Sequence, residues 1–486
     1  NKRGKETKSH DSALESKQKA LQERLNIHRE NHAQCNHNIG FTQHKVKDYE
    51  SALDKYQNAF GKTLKPFGRD HPDTAKIYQC TGVRQQEMKD YKSALQSYEQ
   101  ALQIRLKLFG ENHPSTGESY HSIAVTKNAM KYYKAALESH QNALQIRLKI
   151  FGNNHSDTAE SYYSIGITQH EMKDYRSALE SHQHALQIRL KLYGDDHSDT
   201  AQSYYNIGVT QHEMKDFQSA LEAKKKALQI RLQLYGDDHS DTAQSYYNIG
   251  VTQHEMKDFQ SALEAKQKAL EIRLKLYGKN HPDTAQSYYS IGSTQYYMQD
   301  YMSALESDQH ALQIRLKLYG ENHPDTIESY REIGVTHRAM KNYKAALEVH
   351  QYVVQTISKL QGEYHPDTAF SFCSLGLTQC EMKDYKSALE SHRHALEIKL
   401  KLFGEDYAGI AESYDDIGDT QCEMEDYMSA LESYEHALQI RLKLYGENHY
   451  DTAKSYQDIE LVQDRMKNNV SIKPEQKKSP DWINYL

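Results

Sequence analysis

The chain has 486 residues, and its 60 Lys and Arg against 67 Asp and Glu give a net charge of −7. This balance disfavours nucleic acid as a partner, because proteins that coat it are usually basic. The 37 Tyr residues argue against a disordered chain, and only 8 Pro and 23 Gly exclude collagen.

The N-terminal segment 1–10 is charged and is not followed by an apolar stretch, which predicts a disordered segment without a secretory signal. Because the sequence does not begin with Met, we expect a fragment or a processed chain. Five Cys residues without paired spacing are typical of a reducing compartment, and no stretch approaches the roughly 18 apolar residues of a membrane span. We therefore predict a cytoplasmic protein without membrane contact.

Residues 29–448 consist of a 42-residue unit present ten times. The segments 197–238 and 239–280 differ at five positions only, so one unit was copied, and the three domains suggested by length alone are excluded. Residues 11–28 match the second half of a unit, which predicts an orphan second helix of a truncated repeat. A His marks the register in nine places, and Tyr407 replaces it once: His71, His113, His155, His197, His239, His281, His323, His365 and His449.

Each unit predicts two helices, as the segment 155–196 illustrates. Apolar residues recur at steps of three and four on both sides of a turn predicted at Lys173 and Asp174. Gly194 and its copies are expected to end the second helix in a left-handed conformation. The motif His-(Pro/Ser)-Asp-Thr-Ala predicts the start of the first helix, and the pattern leaves open whether the His, the Ser or Pro, or the Asp is the cap.

A second Gly series, which includes Gly166, lies in the middle of the first helix, where Gly costs about 1 kcal/mol against Ala. Its repetition predicts a close approach of the two helices, with the Ala178 series as the small residue opposite. A Tyr series lies at the expected core position, and we predict that it is buried. We call it the Tyr162 series: Tyr162, Tyr204, Tyr246 and Tyr288.

The order of an aromatic residue, Ile-Gly, an Ala and a second Ala seven residues later resembles the tetratricopeptide (TPR) repeat. The 42-residue period and the His-Pro-Asp-Thr-Ala start resemble the kinesin light chain and nephrocystin type. The resemblance covers about residues 11–467 and implies an all-α fold, a right-handed superhelical α-solenoid of antiparallel helix pairs.

The C-terminal part departs from the repeat. Residues 449–468 match a first helix without its partner, and Glu460 occupies the Gly position, which predicts a capping helix. Residues 469–486 form a polar tail that ends in apolar and aromatic residues around Trp482. The tail is expected to be either a disordered end or an anchor that docks on the array or on a partner.

No complete catalytic or metal motif emerges. Gly61-Lys62-Thr63 lacks the upstream Gly of a phosphate-binding loop, and His170-Glu171 lacks the second His of a zinc protease. Cys373 and Cys380 share a helix face. The two interpretations are a thiol cluster and ordinary small polar positions of the groove. We assign no catalytic residue, no metal and no cofactor.

In proteins that this chain resembles, the first helices line a concave groove. The resemblance therefore implies a ladder of Tyr and His side chains that binds a peptide, with a solvated surface as the alternative. The candidate residues are Tyr163, His170, Tyr205, Asn206, His212, Tyr247, Asn248, His254, Tyr289, Tyr296, Arg331 and Arg338. Asn206 and Asn248 match the groove Asn residues that hold cargo backbones in kinesin light chains. Farther along, Glu412, Asp415, Asp416 and Asp419 predict an acidic end, which does not match the acidic cargo peptides of that family.

These observations predict a non-catalytic scaffold that binds an extended peptide or a helix of other proteins in its groove, without nucleic acid or membrane. Two alternatives remain open. One is the sensor array of a larger nucleotide-binding switch protein encoded upstream, and the other is a cargo adaptor like the kinesin light chain. The oligomeric state is not predicted.

Overall fold

The computed structural model describes residues 70–472, which form nineteen helices joined by short turns. The predicted segments 1–10 and 11–28, the unit 29–70 and the tail beyond 472 lie outside the described residues. The helices are α1 (Pro72–Glu87), α2 (Tyr91–Phe109), α3 (Pro114–Ala129), α4 (Tyr133–Phe151), α5 (Ser156–Glu171), α6 (Tyr175–Tyr193), α7 (Ser198–Glu213), α8 (Phe217–Tyr235), α9 (Ser240–Glu255), α10 (Phe259–Tyr277), α11 (Pro282–Tyr297), α12 (Tyr301–Tyr319), α13 (Pro324–Ala339), α14 (Tyr343–Gln361), α15 (Pro366–Glu381), α16 (Tyr385–Phe403), α17 (Ala408–Glu423), α18 (Tyr427–Tyr445) and α19 (Tyr450–Ile472).

The predicted all-α array of antiparallel helix pairs is confirmed. Each odd-numbered helix from α1 to α17 is the first helix of a repeat and packs against the even-numbered second helix that follows it. The described residues form two compact units, of which the first ends at Gly236 and the second begins at Asp237.

The His of the repeat motif is the N-cap of the first helix, which settles the alternatives that the sequence left open. His155 Nδ1 accepts a hydrogen bond from the backbone N–H of Asp157 at 3.1 Å, and its ring stacks on Phe151 at 4.2 Å. Thr158 Oγ1 donates to the carbonyl of Gly152 at 2.9 Å. The motif therefore both starts one helix and fastens it to the end of the preceding one.

The predicted turns are confirmed. Gly194 ends α6 with a φ of 78°, and Lys173 between α5 and α6 has a φ of 62°. The Asp174 carboxylate then accepts from the backbone N–H of Ser177 at 3.3 Å and caps the second helix. A left-handed residue and a capping carboxylate together reverse the chain within a few residues.

The predicted close approach of the paired helices is confirmed, because a Cβ on Gly208 would lie only 3.0 Å from the backbone oxygen of Ala220. The sequence did not predict that a larger side chain, four residues after the Ala, lies directly over the Gly. A Cβ on Gly166 would meet the His182 ring at 2.5 Å. We call the buried side chains of this register the Gly-facing series, in which His140 alone stands in a repeat with Ala124 in place of the Gly: Tyr98, His140, His182, Lys224, Lys266, Asp308, His350, His392 and Tyr434.

The prediction that the Tyr162 series is buried is wrong. Tyr162 and Tyr288 are half-buried, with their rings 5.1 and 4.9 Å from His184 and His310 of the second helix. Tyr456 is 47% exposed. The tightly packed Gly and Ala positions fill the space between the helices, so the Tyr ring lies at the edge of the pair with its hydroxyl end toward water.

The last described helix, α19, continues to Ile472, past the predicted boundary at 468. Glu460 is exposed. Val462 is buried against α18 and α17, where it packs with Tyr434 and Cys422. One face of α19 thus packs on the preceding helix pair, while Tyr450, Tyr456 and Leu461 are exposed.

Candidate protein-binding surface

Four half-buried Tyr side chains, one on each of four consecutive first helices, each lie under an Arg guanidinium of the following second helix. We call Tyr163, Tyr205, Tyr247 and Tyr289 the Tyr stripe. The Arg Cζ atoms lie 4.6 Å (Arg189), 4.9 Å (Arg231), 4.7 Å (Arg273) and 4.7 Å (Arg315) from the ring centroids. At these distances the cation attracts the face of the ring.

The Arg side chains are fixed by the next repeat. Arg189 is only 4% exposed, and its guanidinium donates to the Asp199 carbonyl at 3.1 Å and to Ser203 Oγ at 2.9 Å. It also donates to the Glu160 carboxylate at 3.0 Å. A planar guanidinium held by three acceptors cannot rotate freely, so it also holds the ring of Tyr163 in one orientation.

The sequence analysis missed this Arg series. Its signal was present, because a cation recurs every 42 residues within the apolar stripe of the second helix. The members buried in the structure are Arg105, Arg147, Arg189, Arg231, Arg273, Arg315 and Arg441. Burial lowers the pKa of Arg147 and Arg273, with partial compensation from nearby Asp157 and Asp283.

Three predicted site residues, Tyr163, His170 and Asn206, meet in one cavity of about 260 Å³ between α5, α6 and α7. His182, which the sequence did not single out, also lines it. The complete lining is Tyr163, Ile167, His170, Glu171, His182, Asn206, Val209 and Thr210. We call this cavity the His pocket.

The two remaining predicted His residues contact side chains of neighbouring helices. His212 and His254 each present their ring to the edge of an aromatic residue, Phe217 or Phe259, at 5.2 Å. His254 Nδ1 also lies 3.2 Å from Thr294 Oγ1, and burial lowers the pKa of His254. Asn248 is half-buried on α9.

The second unit surrounds its Tyr residues with polar groups. The Tyr247 hydroxyl accepts from the side-chain amide of Gln286 at 3.1 Å, and the Tyr289 hydroxyl donates to Glu328 at 3.1 Å. Tyr296 lies at the end of α11, 5.4 Å from the ring of Tyr301, and burial raises its pKa. These hydroxyl groups show that the stripe combines apolar area with hydrogen-bonding capacity.

Of the two predicted Arg site residues, Arg331 has its charge neutralised by a neighbouring carboxylate. The Arg331 guanidinium pairs with Glu328 at 2.5 Å and lies 4.9 Å above the ring of Phe370. Arg338 is half-buried on the same helix, α13. Arg331 therefore links α13 to α15 rather than projecting as an unpaired cation.

The predicted acidic residues gather around a cavity of about 400 Å³ formed by α17, α18 and α19. Asp415 is paired with Arg441 at 2.5 Å, while burial raises the pKa of Asp416 to about 6 against the opposing effect of Lys399. The lining is Ala408, Glu412, Asp415, Asp416, Asp419, Arg441, Tyr445, Asp451 and Lys454.

Within residues 70–472, no three His, Cys, Asp or Glu side chains are grouped as a metal site would require. The four cysteines of this part are free thiols, and burial raises the pKa of Cys373 and Cys380. No described helix is both long and apolar enough to cross a bilayer.

Comparison with known families gives one match, to the tetratricopeptide repeat. The matched segments are 36–107, 82–136, 119–191, 170–233, 224–275, 241–311, 296–356, 375–441 and 409–470. No curated protein matches the chain in sequence.

Several solved structures are similar in fold. The apo form of RapI is 15% identical, and the match covers 76% of this chain and 98% of RapI with a TM-score of 0.57. BtubC (BKLC) from P. vanneervenii is 19% identical over 49% of this chain and 92% of its own, with a TM-score of 0.42. A kinesin light chain protein from P. anserina with nearly identical TPR-like repeats is 17% identical over 43% and 98%, with a TM-score of 0.40. At these identities the likeness to RapI shows the fold alone.

Proposed function

The chain belongs to the tetratricopeptide repeat family, and on that premise we propose that it is a non-catalytic scaffold for other proteins. It binds extended segments of its partners along the groove formed by the first helices of successive repeats. Within each unit, the Tyr stripe supplies the principal contacts.

The observation that carries this proposal is the fixed orientation of exposed aromatic surface. Each ring of the Tyr stripe remains half-exposed while a buried Arg holds it from behind. A side chain that is already ordered loses little conformational entropy when a partner covers it, so more of the contact free energy is available for binding.

The repeat spacing limits the form of the partner. Neighbouring packed helices lie about 10 Å apart, and an extended chain advances about 3.3 Å per residue. An extended segment would therefore place roughly every third residue opposite a new first helix. Tyr163 and Tyr205, on neighbouring first helices of the first unit, are the natural pair for a test.

A photo-cross-linking amino acid at position 163 or 205 tests the proposal in extracts of the source cells. We expect both positions to label the same partner segment, at residues about three apart. The matched control is position 193. Its Tyr is also accessible, at 38% exposure, but it lies at the end of α6 and outside the Tyr stripe. Adducts formed only from position 193, or adducts from 163 and 205 on unrelated surfaces, would contradict the proposal.

A further inference from the structure

Within residues 70–472, two buried ring nitrogens of the His pocket have no hydrogen-bond partner. His182 is 2% exposed, and its Nδ1 has no hydrogen-bond partner. His170 Nε2 likewise has none. A buried polar atom without a partner destabilises the protein, so a ligand that supplies the missing hydrogen bond recovers part of that cost.

The second unit contains the same site with a different occupant. Lys266 stands in the register of His182, and its ammonium donates to the Ser290 carbonyl at 3.1 Å and to Thr294 Oγ1 at 2.7 Å. Ser290 and Thr294 correspond, two repeats earlier, to Asn206 and Thr210. The acceptors that hold a lysine ammonium in one repeat therefore have counterparts on the wall of the His pocket in the other.

The remaining lining groups suit the same chemistry. Ile167 and Val209 offer apolar walls for an alkyl chain, and the exposed Glu171 is the one formally charged residue of the lining. Arg189 lies behind Tyr163, where its guanidinium is engaged by Glu160, Ser203 and the Asp199 carbonyl. A volume of about 260 Å³ is below the range of pockets for drug-sized ligands and matches a single side chain.

We propose that the His pocket binds a lysine side chain of the partner segment, whose ammonium occupies the place that Lys266 fills in its own repeat. This inference rests on the proposed function and names one feature of the partner. Burial lowers the pKa of His182 to about 4, so this imidazole is neutral near pH 7 and does not repel an ammonium group. Lys266 itself, with its pKa lowered by burial to about 8, remains mostly protonated at that pH.

The direct test measures binding of N-acetyl-lysine methylamide to the full chain by ligand-observed NMR. We expect millimolar binding, at least fivefold weaker binding of the norleucine analogue, which lacks the ammonium, and none of the glutamate analogue. His182→Lys introduces the residue found at positions 224 and 266 and should weaken binding at least tenfold by filling the site. Glu171→Gln should weaken it about threefold.

The matched control is His350→Lys, which makes the same change opposite Gly334 in another repeat and should leave binding unchanged. Should His182→Lys fail to fold, Val209→Leu narrows the cavity without adding charge and is expected to weaken binding severalfold. Equal binding of the lysine and norleucine probes, or undiminished binding by folded His182→Lys, would overturn the inference. If the probe does not bind while positions 163 and 205 still cross-link one segment, the lysine pocket fails and the proposed function stands.

Discussion

One register position of the second helix carries opposite chemistry in two consecutive repeats of the second unit. Between α12 and α13, Arg315 donates to the Asp325 carbonyl and to Ser329 Oγ, both at 2.8 Å, and lies over Tyr289. One repeat later, Ile357 stands in the register of Arg315 and packs with Ile327 and Val353 in a buried apolar cluster. The same helix arrangement thus forms around a hydrogen-bonded cation or around aliphatic side chains.

The first-helix residue in the matching register also differs between these two repeats. In the repeat with Arg315, the first helix carries Tyr289 at the position that contacts this Arg. In the repeat with Ile357, the same position of the first helix is Arg331. Two guanidinium groups at that contact would repel each other in a poorly solvated place. Each ring of the Tyr stripe therefore lies against a buried Arg, whereas Arg441 of the same Arg series pairs with Asp415 in that register.

The largest expected effect comes from Ile357→Arg. This change overfills the apolar site that Ile357 shares with Ile327 and Val353 and buries a second cation beside Arg331, so we expect a loss of about 4 kcal/mol in the local stability of α13 and α14. Hydrogen exchange of these helices measures it.

The double variant Ile357→Arg/Arg331→Tyr restores the pairing found in the Tyr stripe. We expect it to recover about 1–2 kcal/mol as a coupling energy in a double-mutant cycle. If the stability changes of the two single variants simply add, positions 331 and 357 are independent of each other.

Arg315→Ala removes the cation from the polar junction. Ser329 Oγ and the Asp325 carbonyl lose a buried donor, and we expect about 3 kcal/mol less stability in α12 and α13. Gln313→Ala, at an exposed position of the same helix, is the control and should cost less than about 0.5 kcal/mol. A loss for Arg315→Ala no greater than for the control would refute the role given to the Arg series.

The stability of the α11–α12 repeat and that of the α13–α14 repeat should also respond differently to pH. The difference arises from Asp308 and His350, their members of the Gly-facing series. Burial, reinforced by Glu332, raises the pKa of Asp308 from 3.8 to about 8, so the folded repeat retains a proton that the unfolded chain releases. This contribution makes the repeat less stable as pH rises from about 4 to about 8. Burial lowers the pKa of His350 from 6.5 to about 4, with help from Arg338, and this contribution makes the next repeat less stable as pH falls through that range.

Hydrogen exchange at pH 5 and pH 8, corrected for intrinsic rates, separates these responses. We expect protection of α12 to fall about tenfold or more at pH 8, which corresponds to about 1.4 kcal/mol, and Asp308→Asn to remove most of that fall. An identical pH response in the wild-type chain and in Asp308→Asn would exclude Asp308 as its source.

The smallest effect is expected for Tyr289→Phe. The ring and its contact with Arg315 remain, and only the hydrogen bond to Glu328 is lost, for about 1 kcal/mol by thermal unfolding. A larger loss, comparable with that of Arg315→Ala, would mean that the hydroxyl rather than the ring fastens this Tyr.

Much of the fold follows from the sequence because it rests on local rules repeated many times. The Gly194 and Lys173 positions, the paired helices and the narrow Gly166 contact could all be predicted from spacing. The N-cap could not be chosen among His155 and its neighbours, because the three residue types compete for the same backbone N–H groups. The Tyr162 series was misjudged because helical spacing gives the face of a helix but not how far a ring extends beyond the packed pair.

The candidate site was predictable only in part. Tyr163, His170 and Asn206 share a register, and the structure brings them together around one cavity. His182 and Arg189 were missed because they lie on the second helix and reach across to a neighbouring element, a contact that depends on tertiary packing. A polar residue repeated within an apolar stripe is the sequence signal that would have revealed the Arg series.

The most direct measurement is the affinity of the chain for the partner segment identified by cross-linking, determined by titration calorimetry. Tyr163→Ala/Tyr205→Ala removes the two rings of the stripe in the first unit, whereas Tyr162→Ala/Tyr204→Ala removes the neighbouring rings outside it. We expect the first pair to weaken binding at least tenfold, or about 1.4 kcal/mol, and the second to change it less than about threefold. Unchanged affinity in the folded stripe variant would contradict a role of the Tyr stripe in binding.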